Sequence, residues 1–292
     1  MKISKLLKKD ALSLSFEIFP PKTKTAFESV KKAAKEIAAL QPSFISVTYG
    51  AGGGISQYTL DTAKIIKELY GVPSLAHLTC VSSTRETVKG KIEGIKEAGI
   101  QNIMALRGDI PKSMKNTDRE NWDYNYAVEL VRELKETGND FCIGGACYPE
   151  VHPESSTQKE DILHLKEKVD AGCEFLTSQM FFDNNIFYNF LYKIREAGIT
   201  VPVIPGIMPI TNAGHIKRAV LLSGSSIPQR FKSIVDKFGS DPAAMKQAGI
   251  AYATDQIIDL FANGINNVHV YSMNKPDIAQ KIQSNLSDIL EK

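Results

Sequence analysis

One unit recurs along this chain: an amphipathic helix, a glycine, then a short apolar strand. The helix-ending glycines are Gly71, Gly99, Gly138, Gly172, Gly198 and Gly264. Glycine suits the position after a helix because it takes positive φ without a Cβ clash. Three junctions nearly repeat: Glu97-Ala98-Gly99, Asp170-Ala171-Gly172 and Glu196-Ala197-Gly198. The first long helix instead stops at Gln41-Pro42, because proline ends a helical run. The strands expected are Leu14–Ile18, Phe44–Thr48, Ser74–Leu78, Asn102–Leu106, Phe141–Cys147, Glu174–Gln179, Val201–Pro205 and Asn267–Tyr271. Most are continuous apolar runs, as parallel strands covered on both faces are.

Helix entries are marked too. Thr25 with Glu28, Ser83 with Glu86, and Thr157 with Glu160 fit capping boxes. Asp183 or Asn184 suits the start of a sixth helix, and Pro276 the first turn of the last. Strands alternating with helices in this way predict a (β/α)8 TIM barrel, one catalytic domain over residues 1–292. About sixty residues separate Pro205 from Asn267, more than one crossover needs. Extra helices are expected there, between strands 7 and 8: Asn212–Leu222, a short one after Pro228, and Pro242 to Ala262. A doubly wound sheet is the weaker rival, because the repeats run evenly with no second-domain signature.

Composition narrows the function. With 35 Lys and Arg against 33 Asp and Glu, the balance gives no electrostatic reason to expect nucleic acid or an anionic membrane. No apolar run approaches the ~20 residues that span a bilayer. The basic start, MKISKLLKKD, meets Asp10 before an apolar stretch forms, unlike a secretory signal. Cys80, Cys142, Cys147 and Cys173 have no zinc spacing and read as reduced thiols of a cytoplasmic protein.

A TIM barrel places its active site where the strands end. The exits collect polar groups: Glu17, Thr48, His77, Arg107 with Gly108 and Asp109, Tyr148, His152, Gln179, and Tyr271 with Asn274 and Lys275. Glu17 is the sharpest. Between Phe16 and Ile18 its carboxyl is poorly solvated, which raises the pKa and suits general acid work; the plainer reading pairs it with Arg or Lys. Asp109 beside Arg107 is either an ionised partner or a loop cap. Glu17, His77 and Asp109 together admit a metal-dependent lyase or hydrolase, although no HxH or HExxH spacing supports one. No lysine lies in strands one to seven, which disfavours a Schiff-base aldolase. Gly50-Ala51-Gly52-Gly53-Gly54 is not GxGxxG and reads first as a loop.

Several motifs, in order, resemble the methylenetetrahydrofolate reductase family in its short form without a regulatory domain. They are Ser-Phe-Glu-Ile-Phe-Pro-Pro at 15–21, Val-Thr-Tyr-Gly at 47–50, His-Leu-Thr-Cys at 77–80 and Ala-Leu-Arg-Gly-Asp at 105–109. Tyr-Pro-Glu-Val-His-Pro-Glu at 148–154, Lys-Val-Asp-Ala-Gly at 168–172, Gln-Met-Phe-Phe-Asp at 179–183 and Ile-Pro-Gly-Ile at 204–207 follow. The resemblance implies a flavoenzyme with non-covalent FAD, no metal, and a homo-oligomeric assembly. It would reduce 5,10-methylenetetrahydrofolate to 5-methyltetrahydrofolate with NAD(P)H, in ping-pong order, for methionine synthesis.

By the same resemblance Glu17 is the acid that protonates folate N10, and Asp109 the carboxylate that stabilises the resulting cation in a shielded site. Thr48, His77, Arg107, Gly108, Asp109, Tyr126, Tyr148, His152, Asp161, His164 and Lys168 match cofactor-contact positions. Glu17, Asp109, Gln179, His215, Tyr271 and Lys275 match substrate-contact positions. Four residues depart from the family pattern: Lys275 for arginine, His215 for glutamine, Ala219 for an aromatic, and Met180 for phenylalanine. The segment Lys112 to Asp123 is longer than the family pattern.

Overall fold

The computed structural model describes residues 1–7, 11–21, 23–49, 56–110, 119 and 122–290. The Gly50–Gly54 run and most of Lys112 to Asp123 lie outside them.

A short helix α1 (Ile3–Leu6) precedes strand β1 (Ser13–Ile18). Units then alternate: α2 (Phe27–Ala38), β2 (Ile45–Val47), α3 (Ser56–Tyr70), β3 (Ser74–Thr79), α4 (Arg85–Glu97), β4 (Asn102–Leu106), α5 (Ala127–Glu136), β5 (Cys142–Cys147), α6 (Gln158–Asp170), β6 (Phe175–Ser178) and α7 (Asn184–Glu196). The seventh barrel strand is two short pieces, β7 (Val203–Ile204) and β8 (Gly206–Ile207). The extra helices follow: α8 (Ile216–Ser223), α9 (Gln229–Phe238) and α10 (Pro242–Ala262). Strand β9 (Asn267–Val270), α11 (Pro276–Asn285) and α12 (Ser287–Leu290) end the series.

All strand pairs are parallel, in the order β7-β6-β5-β4-β3-β2-β1-β9-β8. Since β7 and β8 are halves of one strand, the ring closes through Val203–Ile207. The expected strand Val201–Pro205 is therefore corrected: it starts later, continues past Pro205 and is broken there. Proline has no N–H to give the ladder, but its carbonyl still accepts the His269 N–H at 2.9 Å.

All six helix-ending glycines take positive φ, from 65° at Gly99 to 132° at Gly172. Gln41 does the same work without being glycine, at φ 53°; the stop before Pro42 is a left-handed residue as well as a proline effect. Two expected caps differ. Thr84, not Ser83, caps α4 by accepting the Thr87 N–H, and Thr25 caps nothing, since a 3-10 turn (Lys24–Ala26) runs into α2. Thr157 caps α6 and Asp183 caps α7 as expected.

Strand alternation sorts the side chains. Leu14, Phe16 and Ile18 of β1 face outward into the layer of helices with Val30, Ala34 and Ile37, while Ser15 and Glu17 point into the barrel. The barrel floor is apolar: Phe44, Leu75, Met104, Cys142, Phe175 and Ile204 pack together. Ile3 and Leu7 close it from below. The Ile3 N–H donates to Asn102 Oδ1 at 2.9 Å, and Asn102 Nδ2 reaches the Met1 and Ser74 carbonyls, each at 3.1 Å. Polarity thus rises from floor to mouth.

The inserted helices pack as a separate apolar cluster of Phe182, Ile210, Ala219, Phe231, Met245 and Tyr252. Gly249 lets α10 approach: a Cβ there would lie 1.9 Å from the Ile210 carbonyl oxygen. Backbone cannot swing aside as a side chain does, so Gly249→Ala is expected to destabilise by ~1–3 kcal/mol or more. A thermal melt checks this; an unchanged Tm would contradict the packing described.

Candidate active site

Glu17 stands at the mouth end of β1, 8% exposed. Burial pushes its pKa up to about 8, against a smaller opposing effect of the Ser46 hydroxyl hydrogen-bonded to it. Ser46 is its register partner on β2. Among the described residues no cation counters the charge, so the plainer reading of a salt-bridged strand-edge glutamate does not hold. The backbone around Glu17 is pinned from the loop after β9. Ser272 Oγ donates to the Glu17 carbonyl at 3.0 Å. Asn274 accepts the Phe19 N–H at 2.7 Å and returns a bond to the Phe19 carbonyl at 2.9 Å. Met273 and Asn274 both sit at positive φ, 55° and 57°, a costly conformation for consecutive non-glycine residues.

Tyr271 lies close enough to Glu17 and Tyr148 that their charges would raise its pKa, which burial already holds far above the usual phenol range. Its hydroxyl donates to the Ser178 carbonyl at 2.6 Å. Gly206 makes room for that ring: a Cβ there would meet Tyr271 Oη at 2.6 Å. His77 is held down to about 4 by burial, so it is neutral at pH 7. Thr48 Oγ1 and Thr177 Oγ1 are buried without a hydrogen-bond partner among the described residues. Unpaired buried hydroxyls at a barrel mouth mark where a polar ligand would bind.

A second cluster gathers at the exits of β4 and β5. Arg107 grips Glu154 with two bonds of 2.7 Å, which pulls the Glu154 carboxyl down to about 2. Burial pushes Tyr148 up to about 12 and holds His152 below its usual range. The two rings meet edge to face, centroids 4.6 Å apart. Asp161 Oδ2 accepts the His152 N–H at 3.1 Å, and Lys168 Nζ donates to the Ala146 carbonyl. Gly108 turns the chain at φ 88°, where a Cβ would meet Thr79 at 2.9 Å. Asp109 is exposed at the rim, not in the sheltered site expected, though its charge is felt by Arg107 and Tyr148. Farther out, Tyr126 and His164 lie nearly parallel, 10° apart in plane with centroids at 6.3 Å.

Residues 2–287 match the family model for methylenetetrahydrofolate reductase. The 5,10-methylenetetrahydrofolate reductase of Pectobacterium carotovorum subsp. carotovorum is 35% identical over 271 residues, 93% of this chain and 89% of that protein.

The chain belongs to the methylenetetrahydrofolate reductase family.

The 5,10-methylenetetrahydrofolate reductase of Escherichia coli (strain K12) is 34% identical, with coverage of 93% and 89%. The Zea mays relative named methylenetetrahydrofolate reductase (NADH) 1 is 34% identical over 96% of this chain, but only 49% of that protein is covered. The chain thus matches the short bacterial form and spans about half of the plant relative. Among solved structures, a Clostridium thermocellum protein described as binding two copies of 5-methyl-5,6,7,8-tetrahydrofolic acid superposes with a TM-score of 0.64. Coverage is 99% and 100%, at 14% identity. Oxaloacetate acetylhydrolase superposes at 0.56, also at 14% identity, covering 99% of this chain and 85% of its own. At such identity both show the barrel fold alone.

Within this reductase family member, the positions that depart from the family pattern fall in different places. Ala219 is buried in the apolar cluster of the inserted helices and offers no ring to the mouth. Met180 packs against the same cluster. His215 is exposed in the 3-10 turn Ala213–His215. Lys275 stands at the N-terminal boundary of α11, just past Asn274, with no capping bond from its side chain. Gln179 Oε1 accepts its neighbour Met180 N–H at 2.9 Å. Glu17, His77 and Asp109 form no metal-binding group among the described residues. The sequence reading missed Ser46, His269 and Ser272; their signal, polar residues at inward positions of apolar strands, becomes readable only with the strand register.

Proposed function

We propose that this chain reduces 5,10-methylenetetrahydrofolate to 5-methyltetrahydrofolate with NAD(P)H, through FAD held at the barrel mouth, in ping-pong order. The observation that carries this is Glu17: a buried carboxyl with no cation against it among the described residues, its pKa pushed up to about 8 by burial. The residues suit the cofactor. The orphaned hydroxyls of Thr48 and Thr177 await a partner, Arg107 and Lys168 bring positive charge for phosphates, and His77 and Tyr148 line the mouth. Gly108, His152 and Asp161 shape the adjoining turn, and Tyr126 and His164 offer ring faces to an adenine.

The chemistry FAD supplies when bound is storage of a hydride, taken from NAD(P)H and passed to the folate. The chain does the rest. Glu17 gives its proton to folate N10, the C–N10 bond breaks, and the positive charge is left on N5 as an iminium that accepts hydride at the former bridging carbon. Asp109 places negative charge toward that cation. A bound ligand would cover its exposed carboxylate and strengthen the effect by excluding water. Lys275 attracts the folate glutamate tail as a point charge rather than a two-pronged fork. Gln179, Tyr271 and His215 are the remaining proposed substrate contacts.

Anaerobic mixing tests the reading. NADH or NADPH should bleach the flavin, and methylenetetrahydrofolate should restore its colour. A protein whose flavin stays oxidised with both nucleotides, or stays bleached with the folate, would refute it. Arg107→Ala is expected to weaken flavin binding roughly ten- to a hundredfold, the worth of a charge-assisted hydrogen bond. Flavin fluorescence titration of the apoprotein measures this, and unchanged affinity would remove Arg107 from the cofactor site.

A further inference from the structure

Beneath Glu17 the barrel holds a line of polar groups that no step above uses. Ser15, Ser46 and His269 point inward from β1, β2 and β9, each 2% exposed or less. Ser15 Oγ lies 2.8 Å from His269 Nδ1, and Ser46 Oγ 3.2 Å from Nε2. The imidazole cannot turn: the Phe44 ring stacks on it at 5.6 Å and 7°, and the Tyr271 ring meets it edge-on at 5.2 Å.

The bond to Glu17 indicates direction. Ser46 acts on Glu17 as a donor, opposing the upward push of burial, so its oxygen accepts from Nε2–H. Nδ1 is then the acceptor for the Ser15 hydroxyl, which also lies 3.3 Å from the Val268 carbonyl. Ser46, having accepted, has its own proton free for Glu17. A protonated carboxyl accepts on its carbonyl oxygen, so a donor fixed on one oxygen leaves the acidic proton on the other.

We propose that His269 is a positioning residue which, through Ser46, holds one oxygen of Glu17 as an acceptor and so turns the acidic O–H toward the barrel mouth. This deepens the general-acid reading of Glu17 and rests on it. The same donor stays on the carboxylate once the proton has left, keeping the acid from becoming too weak to give it up. Ser46 of β2 is hydrogen-bonded to Glu17, Tyr271 just past β9 lies close to it, and His269 of β9 is joined to it through Ser46 and lies near His77 of β3. His77 and His269 are neutral above pH 5 and Tyr271 is neutral throughout, so among these Glu17 alone titrates near neutrality.

The test is infrared difference titration of the Glu17 carboxyl in the holoprotein, with Glu17→Gln as the blank. It reads the relay without turnover. Ser46→Ala and His269→Leu are each expected to move the titration up by about one to two pH units. His269→Gln, which keeps an amide N–H to donate, should return part of the shift. The same variants should move the upper limb of the folate-reduction pH profile and leave flavin reduction by NAD(P)H within twofold. A Glu17 titration unmoved by both Ser46→Ala and His269→Leu would overturn the relay. Full folate reduction by Glu17→Gln would instead overturn the acid role, whatever the titration shows.

Discussion

Glu17→Gln is expected to fold, keep FAD and accept hydride from NAD(P)H, yet reduce methylenetetrahydrofolate about 10²–10⁴-fold more slowly. That range is what a positioned general acid contributes. Glutamine keeps the size of the side chain, and its amide can still take the Ser46 hydrogen bond, but it has no proton to give N10. The hydride-accepting half of the cycle needs no acid, so it serves as an internal control for folding and flavin binding. Rapid mixing of each half-reaction separates the two. Equal losses in both halves would mean a damaged site rather than a missing acid.

The second large effect is on stability and runs opposite to the first. Burial raises Glu17 from 4.5 to about 8. Between those values the folded chain keeps a proton that the unfolded chain has released, so stability falls as pH rises. The slope is ~1.4 kcal/mol per pH unit, on the order of 5 kcal/mol across the window. The contribution is fully present below pH 4.5 and lost as pH rises through 8. Glutamine carries no such cost. Glu17→Gln should therefore lose less stability than the parent between pH 5 and 8.5 and be the more stable protein at the upper end. Urea unfolding at the two pH values measures the difference; an identical gap at both would show that Glu17 is not buried as a neutral acid. A substitution that removes activity and adds stability is the mark of a side chain kept for function.

The glycine stops and continuous apolar strands carried the barrel in plain view, because each reports a local constraint. Asn102–Leu106 and the Pro242 to Ala262 helix are bounded by local signals alone. The floor plug was not legible: α1 has four residues, too few for a helical period, and its meaning comes from Asn102 a hundred residues away. The break at Pro205 needed the knowledge that this strand closes the ring. Glu17 stood out as a carboxyl among aromatics, and its burial follows from that setting. The Ser46 and His269 pair, 223 residues apart, becomes neighbours only when β9 joins β1. Asp109 read in sequence as either an ionised partner or a loop cap, and its position past the glycine turn at Gly108 leaves it exposed at the rim.

The protonation state of Glu17 can be measured directly. Infrared difference spectra of the native holoprotein against Glu17→Gln, stepped from pH 6 to pH 9.5, should show one carboxylic-acid carbonyl band present at pH 7 and vanishing around pH 8. A carboxylate already ionised at pH 6 would contradict the general-acid account at its root.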